Sequence, residues 1–113
     1  MSMKIERVNN SILKEVSYIL ANEIKDHNIK FVTVTSVKTT NDLSFAKVYI
    51  TVLNEQYKTE TLKSLKKAKG FIRRELASRI DIRHVPELEF IYDDSISYGK
   101  NIENIIKEIN EKK

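Results

Sequence analysis

The sequence predicts an α+β fold: a three-stranded mixed sheet with helices packed on one of its faces. Three observations point there. Residues 5–25 repeat apolar side chains every three or four positions, residues 44–53 alternate between apolar and polar, and the segment leading to a third strand is long, helical and basic. A long helical crossover joins parallel strands, normally right-handed, whereas a short turn makes its strands antiparallel. The expected sheet order is therefore 1-2-3, antiparallel then parallel, and the expected element order is α-β-β-α-kink-α-β-α.

Each element has its own signal. Ile5, Val8, Ile12, Val16 and Ile19 form one helical stripe, widened by Leu13, Leu20 and Ile24, which is the pattern of a helix packed by one face. Asp26, His27 and Asn28 end it. Residues 31–39 are rich in β-branched side chains and predict a strand. Val32 and Val34 share a face, but Val37 falls on the other parity, which a bulge near Ser36 would allow. Thr40-Asn41-Asp42 supplies a turn. In the second strand Ala46, Val48, Ile50 and Val52 point inward, and Lys47, Tyr49 and Thr51 outward. After a loop at 54–58, Leu62 and Leu65 begin a helix, with Ala68 near the same face. Gly70 interrupts it, and Ile72, Leu76 and Ile80 resume. Pro86 blocks continuation. Leu88, Phe90 and Tyr92 mark a third strand, and Ile102, Ile105, Ile106 and Ile109 a last helix. A chain of 113 residues with no repeat or linker is expected to form one domain, with an ordered core over about 4–110 and a short C-terminal tail.

Composition narrows the function. There is no cysteine, so no disulfide or thiolate metal site. No apolar run approaches the roughly 20 residues of a membrane span, and Met1–Ile5 leads into a charged amphipathic pattern without the apolar centre of a secretory signal. A cytoplasmic, monomeric protein is expected. Lys and Arg outnumber Asp and Glu by 20 to 16. The excess is local: Lys58 to His84 holds nine basic residues and three acids, while the rest of the chain has 11 and 13. A concentrated basic segment is the footprint of a polyanion partner or, alternatively, a solvated helix face.

Catalytic patterns are missing. Gly70 and Gly99 are the only glycines, which excludes the P-loop and the dinucleotide fingerprint. His27 and His84 lack metal-ligand spacing. Asp93-Asp94 could hold a metal, but such a pair more often precedes a helix, favouring its positive end. No enzyme activity, cofactor or metal is expected.

The stretch Lys66-Lys67-Ala68-Lys69-Gly70-Phe71-Ile72-Arg73-Arg74 is the most informative. A glycine inside a helix costs about 1 kcal/mol relative to alanine. Here it could mark a bend, allow close helix packing, or let the backbone approach a phosphate. Lys66, Lys67, Lys69, Arg73, Arg74, Arg79 and Arg83 are the candidate phosphate contacts, with Arg7 and Lys47 as weaker ones, and Tyr49 is a candidate for stacking on a base.

The segments Arg7-Val8, Val32–Val37, Asp42–Tyr49, Ala68–Arg73 and Arg83–Phe90, in this order and spacing, resemble the ribosome-binding factor A family of bacterial small-subunit maturation factors. The resemblance covers residues 4–110. It implies a KH-type fold of the second topology, in which an Ala-x-Gly kink, here Ala68, Lys69 and Gly70, replaces the usual GXXG clamp. It also implies a non-catalytic factor that binds the free small ribosomal subunit and assists late maturation of its ribosomal RNA, notably in the cold, with a maturation GTPase as a further partner. The competing expectation is a protein-interaction module whose basic face binds an acidic protein.

Overall fold

The structure, a computed structural model, describes residues 2–95 except 27 and 30. The expected helix at Ile102–Ile109, the C-terminal tail, Gly99 and His27 lie outside the described residues.

Helix α1 spans Ser2–Asn22. Its stripe of Val8, Ile12, Val16, Ile19 and Leu20 is buried, as the spacing predicts. Strand β1 (Val32–Thr39) pairs antiparallel with β2 (Phe45–Val52), and β2 pairs parallel with β3 (Glu87–Tyr92), so the sheet order is β1-β2-β3. The register shifts between Val34 and Ser36. That bulge returns Val37 to the core side, where Val34 and Val37 are both buried. Between the first two strands Asp42 Oδ1 accepts from the Ser44 N–H at 3.0 Å and the Thr40 hydroxyl at 2.7 Å. These bonds hold the Asp42 carboxyl below its ordinary pKa, the Thr40 hydroxyl contributing most.

A 3-10 turn, Glu55–Tyr57, leads into α2, Lys58–Arg79. Here the structure corrects the sequence expectation. Two helices separated by a kink were expected, but one 22-residue helix runs through Ala68, Lys69 and Gly70. No glycine among the described residues has a positive φ. The reason is visible in the packing. Leu65, Ile72 and Leu76 are fully buried and Ala68 packs against the same core, so the apolar face is continuous past Gly70, which is exposed on another side. Burying those side chains is worth several times the roughly 1 kcal/mol that glycine costs.

Gly70 is therefore an ordinary helical residue, and a Cβ added there meets nothing within 4 Å. Gly70→Ala is expected to stabilise the fold by about 0.5–1 kcal/mol, raising the melting temperature by roughly 2–6 °C. A thermal melt checks this, and a lower melting point would restore the bend.

Helix α1 packs on β1, α2 on β3, and the two helices on each other. Both lie on the sheet face that carries Ala46, Val48, Ile50, Leu88 and Tyr92, all buried. The Asn9 side chain ties α1 to the end of β1, accepting from the Thr39 N–H at 2.9 Å. Buried Thr61 is satisfied by donating its hydroxyl to the Asn28 carbonyl at 2.9 Å. After β3, Asp93 Oδ1 accepts from the Ser95 N–H at 3.0 Å, where residues 94–95 are helical, and Asp93 Oδ2 accepts from the Thr35 hydroxyl at 2.6 Å. The Ser95 hydroxyl, then Thr35, holds the Asp93 carboxyl below its ordinary value. This carboxylate serves local structure. Among the described residues no group of three or more His, Asp or Glu is placed to hold a metal ion, and no helix is long and apolar enough to cross a membrane.

Candidate nucleic-acid interface

Helix α2 sorts its cations by angle. At about 100° per residue, positions three apart drift slowly along one flank. Lys63, Lys66 and Lys69 have that spacing, and they line one wall of a groove of about 580 Å³. The opposite wall is β3, through Glu87, Leu88, Glu89 and Phe90, and Phe45 and Leu62 add apolar surface. Lys67 and Arg74, seven residues apart, are exposed on the outer side of the helix, away from Leu65, Ile72 and Leu76. None of these five cations forms an ion pair with another described residue. Arg83 is also exposed, but it sits in the connection to β3 rather than on the helix.

The other two candidates are used inside the protein. Arg79, in the last turn of α2, reaches three carboxylates: Glu23 at 3.3 Å, Glu75 at 3.5 Å and Glu15 at 3.8 Å. Its guanidinium also lies 5.0 Å from the centre of the Tyr18 ring. It clamps α1 to α2 and neutralises the negative end of the helix dipole. Arg73 is half-buried, and its Nη2 donates to the Val85 carbonyl at 2.9 Å while Nε is buried without a partner. It braces the connection between α2 and β3. Arg73→Ala would leave that carbonyl short of a donor and is expected to cost about 1–2 kcal/mol. Denaturant unfolding measures the loss. A variant of unchanged stability would show that Arg73 is dispensable to the fold.

The weaker candidates are scattered. Arg7 lies in a separate depression between α1 and Ile80–Ile82. Lys47 is exposed on β2, and Tyr49 is half-buried with the Lys38 ammonium 5.8 Å from its ring centre. Sequence reasoning left Lys63 out of the candidate set, although its i, i+3, i+6 spacing with Lys66 and Lys69 was a usable signal. It also missed the apolar lining from Phe45 and Phe90, which depends on β3 lying beside α2.

Lys63, Lys66 and Lys69, each about one helical turn from the next, line a groove that also carries Glu87 and Glu89 and the apolar Phe45, Leu62, Leu88 and Phe90. Among the described residues it presents no nucleophile–base pair. Such an arrangement on a three-stranded mixed sheet defines a KH-like α+β domain with a lysine-rich helix flank. The pattern of the family described as ribosome-binding factor A matches residues 4–106, and this chain belongs to that family. It is 52% identical over 111 residues to ribosome-binding factor A of Staphylococcus carnosus, covering 97% of this chain and 96% of that one. It is 50% identical over 113 residues to that of Staphylococcus saprophyticus, covering 99% of both. The crystal structure of ribosome-binding factor A from Thermus thermophilus superposes with a TM-score of 0.71 at 23% identity, over 78% of this chain and 94% of that one. A homology model of the Thermus thermophilus factor, fitted into a cryo-EM map of a 30S–RbfA complex, has a TM-score of 0.65 at 23% identity, over 76% and 91%.

Proposed function

We propose that this chain is a non-catalytic assembly factor that binds the free small ribosomal subunit and assists late maturation of its ribosomal RNA. Lys63, Lys66, Lys67, Lys69 and Arg74 contact phosphates, and Arg83 extends the row. The observation that carries this is the set of five cations on α2 with no carboxylate partner among the described residues, beside two arginines, Arg73 and Arg79, that bond within the protein. Family membership supports the ribosomal target, as does the complex in which the Thermus thermophilus factor was fitted. Phosphate contacts position a protein without reading sequence, so the folded shape of the RNA supplies specificity. The protein acts in the cytoplasm as a monomer, and demand for it is greatest in the cold, where misfolded RNA rearranges slowly.

Co-sedimentation with purified small subunits tests this reading. The protein should pellet with the free subunit at low salt and be released as salt rises. Release after ribonuclease treatment is expected, since RNA is the principal contact. Retention on the stripped proteins would favour an interaction module that binds an acidic protein. Failure to pellet at any salt would remove the ribosomal reading altogether.

A further inference from the structure

Gly70 goes against the preference of the helix that contains it. Glycine is the poorest helix former after proline, yet Gly70 lies inside the 22-residue α2. The fold gives no reason for it. Its φ is not positive, and a Cβ built on it meets nothing within 4 Å. Neither backbone conformation nor close packing requires glycine here. Residues that break a local rule without a gain to the fold concentrate at functional sites.

The surroundings show what the bare position serves. On a helix the neighbours of a residue lie three and four places away on either side. For Gly70 those four are Lys66, Lys67, Arg73 and Arg74. Arg73 is turned to the Val85 carbonyl. Lys66, Lys67 and Arg74 are exposed and form no ion pair with a described residue. Lys66 lines the groove beside β3, Lys67 and Arg74 lie on the outer side of the helix, and exposed Gly70 falls between them. The result is a patch of uncovered helix backbone with lysines before it and an arginine after it. It joins the lysines of the groove to the cations of the outer side.

A side chain at position 70 would hold any ligand off the helix. Without one, a polyanion can lie against the helix backbone while cationic heads reach it from both ends of the patch. We propose that Gly70 seats the sugar–phosphate backbone of RNA: a ribose rests on the bare helix, and its flanking phosphates reach Lys66 and Lys67 on one side and Arg74 on the other. This rests on the RNA-binding reading above and adds to it a position that carries no charge.

The test uses substitutions that change no charge. Gly70→Ala and Gly70→Leu are compared with the parent by thermal melting and by co-sedimentation with purified small subunits across a salt series. Alanine and leucine are better helix formers than glycine and have open space here, so both variants should melt above the parent. Gly70→Leu should nevertheless lift the strand from the helix and lose the equivalent of one phosphate contact. That loss flattens the slope of log K against log salt by about 0.9 and weakens binding roughly tenfold near 0.1 M salt, with a smaller loss in Gly70→Ala. Ala21→Leu, at an exposed position of α1, controls for the added apolar surface and should bind as the parent does. Gly70→Leu binding like the parent would overturn the proposal. Weaker binding with the parent's slope would also overturn it, since no phosphate would then lie at the seat. A lower melting point for Gly70→Ala would do the same, because the glycine would then serve the fold. If the parent does not pellet at all, the RNA-binding reading falls and this inference with it; if the parent pellets and the Gly70 variants match it, this inference falls alone.

Discussion

Replacing Lys63, Lys66 and Lys69 together by alanine is expected to weaken binding to the small subunit on the order of 100-fold near 0.1 M salt. Five phosphate contacts give a slope of log K against log salt of about −4, and three fewer leave about −1.5. The three lysines have no ion-pair partner among the described residues and line an open groove, so the fold should lose nothing measurable with them. This separates them from Arg73 and Arg79, whose removal should lower stability. Lys14→Ala is a suitable control, an exposed cation on α1. Binding measured across a salt series decides the matter. A triple variant with the parent's slope would move the RNA contact elsewhere on the molecule.

Ile72→Ala should have the largest effect on stability. Ile72 is fully buried two residues beyond Gly70, in the centre of the core face of α2. Removing its side chain is expected to cost about 2–5 kcal/mol, from lost transfer energy and the cavity left behind. The melting temperature should fall by roughly 10–20 °C. Gly70→Ala acts in the opposite direction. The two changes should add, because Gly70 faces solvent and shares no packing partner with Ile72. A small effect of Ile72→Ala would mean that the second half of α2 is not anchored to the core as this structure has it.

Local pattern was enough for most of the elements. The three- and four-residue spacing in α1 and the alternation of Ala46, Val48 and Ile50 point to the core, where Val8, Ile12, Val16, Ile19, Leu20 and those three strand residues are buried and Ile5, Leu13 and Ile24 are half-buried. The parity break at Val37 required a bulge, and the register shift between Val34 and Ser36 supplies it. The parallel pairing of β2 with β3 followed from the length of the crossover. The sign and place of the charge excess were also legible, since nine cations within 58–84 cannot all be paired by three acids.

The tertiary structure alone decided the rest. Helical periodicity gives the angle of a side chain from the core, not what lies at that angle. Arg79 and Lys66 look alike in the sequence, yet α1 brings Glu15 and Glu23 to Arg79, and β3 opens a groove beside Lys66. Arg73 is taken by a carbonyl twelve residues away. Gly70 suggested a break because local propensity was weighed without packing; Leu65, Ala68, Ile72 and Leu76 rest on one sheet, and their burial outweighs a single glycine. The amino-acid sequence determined which segments are helix and strand and where the positive charge is concentrated, because both are local properties. Which cations remain available to a phosphate, and whether the helix continues through its glycine, depended on neighbours far away in the chain, and only the packed structure sets those.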